Sequence, residues 1–133
     1  DEKLVYRRIK EIAEYTAKSA GATAEVVLPF EHYYPVTFNN EKLTADMLPT
    51  LQKSAGKEKV ILMVPETGAE DFSFFAQKVP GLYFFIGGLP KGHDPKTSGP
   101  HHTPSFIIDD SAFTTGVKAM CNLVIDYMEM NKK

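Results

Sequence analysis

Along this chain, helical spacing of apolar residues alternates with short, continuous apolar runs, and that alternation predicts the elements. Near the start, Val5, Ile9, Ile12, Ala13, Thr16, Ala17 and Ala20 recur at the spacing of one helical face. Asp1 and Glu2 complement the positive end of that helix, and Gly21 is a natural left-handed stop. Ala24 to Leu28 (AEVVL) predicts a short strand. Pro29 and Pro35 bracket an aromatic stretch, Phe30 to Tyr34, restricted to an edge strand or an ordered loop. Val36-Thr37-Phe38 offers a second short strand before Asn39-Asn40 breaks the pattern.

Glu41 to Ala55 returns to helical spacing, with Leu43, Met47, Leu48 and Leu51 on one side and Pro49 predicting a kink or restart. Gly56 ends it. Val60 to Val64 (VILMV) then predicts a strand buried on both faces, residues 70–77 a short helix, and Leu82 to Ile86 (LYFFI) a second buried strand. Gly87 to His101 reads as loop. A last helix follows, with Asp109, Asp110 or Ser111 as its cap and Lys132 and Lys133 at its negative end. Its apolar stripe runs Phe113, Val117, Met120, Cys121, Val124, Tyr127 and Met128. Helices alternating with buried strands predict an α/β layer structure from about residue 40 onward, preceded by the tail of a smaller unit.

Composition narrows the function classes. The 133 residues are 43% hydrophobic and 24% charged, which is globular and neither disordered nor fibrous. Fifteen Lys and Arg against seventeen Asp and Glu leave a net charge of −2, unsuited to a dedicated nucleic-acid module or a polybasic membrane binder. No apolar run approaches the roughly 18 residues of a membrane span. The single cysteine, Cys121, excludes an internal disulfide and a cysteine-only metal cage, and its place on the last helix predicts a packed core thiol. The chain opens Asp1-Glu2-Lys3 without an initiator methionine, which suggests sequence upstream.

Two segments could carry chemistry. Thr67-Gly68-Ala69-Glu70-Asp71-Phe72 follows the first buried run, where ligands sit in open α/β sheets. Glu70 and Asp71 either complement the dipole of a short helix or face a ligand. Gly99-Pro100-His101-His102-Thr103-Pro104 places two of the four histidines side by side, as an exposed loop pair or as a source of a metal ligand. Pro104 stiffens the backbone behind Thr103. No third histidine stands near the pair in sequence, because His32 and His93 lie in other loops.

Taken together, TGAEDFSFFAQKVPGLYFFIGG followed by HHTPSFIIDDSAFTTGVKAM resembles the C-terminal part of the metal-dependent amidohydrolases. That family includes hippurate hydrolases, indole-acetyl-amino-acid hydrolases, N-acyl-amino-acid deacylases and carboxypeptidase G-like enzymes. RRIKEIAEYTAKSAGATAEV is similar to the last helix and strand of the family's α+β lid, or dimerisation, domain, and YYPVTFNNEKLT to the return crossing. The resemblance implies a lid remnant over residues 1–38. It implies the C-terminal half of a zinc-peptidase-like α/β/α sandwich over residues 39–133. It further implies a centre of two divalent ions, zinc or manganese, with His102 as the C-terminal metal ligand. His101, Glu70 and Asp71 would then be neighbours that position the ligand or the substrate. The general base and the other ligands would lie upstream, so this chain alone would hold no catalytic residue and be inactive. An N-acyl or N-aroyl amino acid, or a short peptide, is the implied substrate, and a homodimer through the lid the implied assembly. No nucleic-acid or membrane partner is expected, and the implied compartment is the cytoplasm or the periplasm. The alternative from another class is a small α/β binding or dimerisation module whose histidine pair is incidental.

Overall fold

A computed structural model describes residues 2–28 and 33–132. Phe30, Glu31 and His32, which carry most of the predicted aromatic edge segment, lie outside the described residues. The chain divides into two compact units, Asp1–Pro35 and Val36–Lys133.

The first unit is built on α1, Glu2–Ser19. Gly21, at φ 70°, closes it: its N–H donates to the Lys18 carbonyl while the Ala22 N–H reaches back to Ala17. These paired bonds satisfy carbonyls that the helix end would otherwise leave bare. No residue of α1 is buried, and Val5, Ile9 and Ile12 on its apolar face stand exposed.

The second unit is a pair of longer helices with a short one between them, joined by long segments without regular secondary structure. α2, Glu41–Ala55, has the predicted limits and runs unbroken through Pro49. Asn40 is its cap: the side-chain oxygen accepts from the Leu43 N–H at 2.9 Å. A 3-10 turn, Lys57–Lys59, follows. α3 is short, Phe72–Ala76, and α4 runs from Ser111 to Met130. The Asp109 carboxylate accepts from the Ser111 N–H at 2.9 Å beside the start of α4, and bonds from Ser111 hold its carboxyl below the usual range. No helix among the described residues is long and apolar enough to cross a membrane.

α2 and α4 pack on each other, and among the described residues the buried hydrophobic side chains are Met47 on α2, at 2% exposure, and Ala119 on α4, at 4%. Polar bonds join the two helices as well. Thr50 Oγ1 donates to Asp126 Oδ2 at 2.6 Å, and Asn122 Nδ2 donates to Ser54 Oγ at 3.0 Å. α4 therefore turns its small and polar face inward, at Gly116, Ala119, Asn122 and Asp126. The predicted stripe of Phe113, Val117, Met120, Val124, Tyr127 and Met128 points outward, and Cys121 is exposed rather than packed. Small residues let two helix backbones approach closely, and paired hydroxyl and amide groups satisfy one another there.

The predicted α/β sandwich is not what the chain forms. Among the described residues there is no strand, and AEVVL, VILMV and LYFFI are all without a ladder. The same holds for Val36-Thr37-Phe38, the other short strand expected from the sequence. Val60 is half-buried and residues 61–64 are open to solvent, with Leu62 fully exposed. A continuous apolar run reports the tendency to be buried; a strand also needs a neighbouring backbone to accept and donate its hydrogen bonds. No described segment supplies that neighbour to these runs. What the chain does supply is single ties between segments, such as Asp109 N–H to the Gly88 carbonyl at 2.7 Å.

Candidate functional site

Glu70 stands at the entry to α3. One carboxylate oxygen accepts from the Phe72 N–H at 3.2 Å and the other from the Tyr83 hydroxyl at 2.8 Å. Behind it, Ser73, fully buried, donates its hydroxyl to the Glu70 carbonyl at 2.6 Å and fixes the backbone. The Phe72 N–H, then the Tyr83 hydroxyl, stabilise the charged form and hold the Glu70 carboxyl below its usual range. The same bond, with partial burial and the nearby negative charge, pushes the Tyr83 hydroxyl up. Asp71 begins the helix without a side-chain capping bond. Glu70 therefore does more than complement a dipole: its carboxylate is oriented at both oxygens.

Tyr83 is itself held from two sides. Its ring lies 5.5 Å from Phe72 and edge-on to Phe85 at 5.3 Å. Its backbone is gripped by one side chain, Asn39, whose oxygen accepts from the Tyr83 N–H at 2.7 Å while its amide donates to the Tyr83 carbonyl at 2.8 Å. Neither residue was singled out from the sequence. The signals were there: a hydroxyl tip within an otherwise apolar LYFFI, and an asparagine pair at the break before α2.

The histidine pair sits in a tight turn. Thr103 Oγ1 donates to the Pro100 carbonyl at 2.8 Å, and the Phe106 N–H donates to the Thr103 carbonyl at 3.1 Å. His101 lies edge-on against Phe106 at 4.8 Å. His102 has φ 64°, making it the non-glycine residue with a left-handed backbone among those described. A side chain held in that region costs about 1–3 kcal/mol and persists where the surroundings impose it, most often at functional sites. Both imidazoles are exposed.

Gly99 makes the turn possible. A Cβ there would come to 2.5 Å from the Ser105 carbonyl carbon and oxygen. Gly99→Ala is thus expected to force this turn open. It should lower stability by about 1–3 kcal/mol, as overpacking against a rigid backbone does, and should broaden the imidazole resonances of His101 and His102. Unchanged imidazole spectra and melting temperature would contradict the closed turn.

The Glu70 group and the histidine turn share no hydrogen bond or ring contact among the described residues. Nor do three or more His, Cys, Asp or Glu side chains among those residues come together as a metal site. A metal centre takes about three or more protein ligands, so the side chains present do not by themselves fit one; His102 would supply a single imidazole.

Residues 7–126 match the family described as peptidase family M20/M25/M40. The chain is 36% identical over 107 residues to thermostable carboxypeptidase 2 of Saccharolobus solfataricus, covering 80% of this chain and 26% of that protein. It is 31% identical over 118 residues to an N-acetyldiaminopimelate deacetylase of Lacticaseibacillus casei, covering 89% of this chain and 29% of the relative. It is 25% identical over 124 residues to IAA-amino acid hydrolase ILR1-like 4 of Arabidopsis thaliana, covering 92% of this chain and 28% of the relative. The chain thus spans under a third of the length of these relatives. No solved structure matches it.

Proposed function

This chain belongs to peptidase family M20/M25/M40, and from that premise we propose that it is the C-terminal part of an amide-cleaving hydrolase acting on N-acyl or N-aroyl amino acids or short peptides. The observation that carries the proposal is His102, held at φ 64° in a turn that Gly99 and Thr103 close around it. Enzymes of the family are generally metal-dependent. The ions proposed are two divalent cations, zinc or manganese, and His102 would contribute one neutral imidazole toward them. The remaining ligands and the general base come from sequence outside this chain, so the chain alone is inactive. Glu70, fixed and ionised, and Asp71 beside it are suited to orient a polar group of the substrate. His101 packs the turn against Phe106. The names of the relatives, a carboxypeptidase, a deacetylase of an N-acetylated amino acid and a hydrolase of amino-acid conjugates, share one bond type, an amide next to an amino acid. Two copies pair through the first unit, in keeping with the exposed apolar face of α1.

The test is hydrolysis of a panel of N-benzoyl, N-acetyl and N-indoleacetyl amino acids by the full-length gene product, with its metal content measured on the same sample. Amino acid release together with bound metal is the expected result. A metal-free protein without turnover on the panel would replace the hydrolase with a binding or dimerisation module.

A further inference from the structure

A half-exposed carboxylate needs no tyrosine to satisfy it, because water does so at nearly equal free energy. Glu70 nonetheless has both oxygens committed to protein donors, one from its own helix start and one from a residue 13 positions on. The distant donor is not left to find its place. Asn39 makes both backbone bonds that a neighbouring strand would make to residue 83, and Asn40 adds a third tie, its N–H donating to the Gly81 carbonyl at 2.9 Å. Phe72 and Phe85 then fix the plane of the Tyr83 ring. A phenol so restrained has little rotational freedom, and its hydroxyl sets the direction of the carboxylate it meets. Each carboxylate oxygen keeps a further lone pair for an incoming donor.

We propose that Tyr83 is a positioning residue: with its backbone clamped by Asn39, its hydroxyl holds the Glu70 carboxylate in the one orientation that receives the substrate. The inference rests on the proposed place of Glu70 at the substrate site. Phe72 and Tyr83 also favour the ionised carboxylate, while Asp71 is the other titratable group facing the pair. Loss of the hydroxyl therefore raises the pH at which Glu70 gives up its proton. The acid limb of the kcat/KM profile then moves to higher pH.

Tyr83→Phe, Glu70→Gln and the double variant, made in the full-length enzyme and assayed on its best N-acyl amino acid, decide the matter. Tyr83→Phe is expected to lower kcat about tenfold, as loss of a group orienting an active-site ligand commonly does. It should leave KM within about twofold, keep the melting temperature and shift the acid limb upward. In the Glu70→Gln background it should add no further loss, since both changes act through one carboxylate. Wild-type kcat and pH profile in Tyr83→Phe, beside a crippled Glu70→Gln, would overturn the inference and leave the proposed site standing. Full turnover by Glu70→Gln would overturn both.

Discussion

Replacing His102 with alanine in the full-length enzyme is expected to remove about a hundredfold or more of its turnover and most of its tightly held metal, since even residues that only orient metal ligands cost 10–100-fold. His101→Ala should be much milder. The two side chains are neighbours in sequence, but the turn treats them differently. His101 is spent on an edge-on contact with Phe106 at 4.8 Å, worth about 0.5–1.5 kcal/mol of local packing. His102 carries the left-handed backbone. Elemental analysis separates a lost ligand from a loosened loop: His102→Ala should come off a column metal-poor, His101→Ala metal-replete. Small and equal effects of the two substitutions on turnover would refute the assignment.

The second large effect concerns stability. Met47→Ala should destabilise the protein by about 2–4 kcal/mol, the cost of emptying a fully buried site, because Met47 is one of the two hydrophobic side chains buried in the α2–α4 pair. Leu62→Ser, in the most apolar run of the sequence, should change stability by no more than about 0.5 kcal/mol, as an exposed substitution does. Urea unfolding of the two variants beside the parent gives both numbers. If Leu62→Ser cost as much as Met47→Ala, residues 60–64 would be buried after all.

That contrast marks where reading the sequence succeeded and where it failed. The helices were legible because their hydrogen bonds are local: Asn40 before α2 and Gly56 after it, or Gly21 after α1, act within a few residues of the turns they end. That the histidine segment is a loop was legible for the same reason, with glycine and proline within six residues, whereas the bonds that close it into a turn were not. The strands were misread because VILMV and LYFFI state only that apolar groups seek burial, and the pairing backbone has to come from elsewhere in the chain. The inward face of α4 was misread as well. Its longest apolar stripe is the natural seam by spacing alone, whereas the structure buries Gly116 against Ile86 and Ala119 beside it, and turns Asn122 and Asp126 to Ser54 and Thr50 of α2.

Glu70 lies between these cases. Its position at the start of a short helix was visible, but what orients it was not, because Tyr83 lies 13 residues after it and the Asn39 that holds Tyr83 lies 44 residues before Tyr83. Among the described residues, the sequence by itself determined α1, α2 and α4 with their ends, the presence of α3 within the expected 70–77, and the residue types of both candidate segments, since each depends on neighbours along the chain. Only the tertiary structure decided which apolar runs are covered, which face of α4 is inside, and that Asn39, Tyr83 and Glu70 form one chain of contacts. Those outcomes depend on which distant groups complete a hydrogen bond or fill a contact, and spacing within a segment carries no record of that.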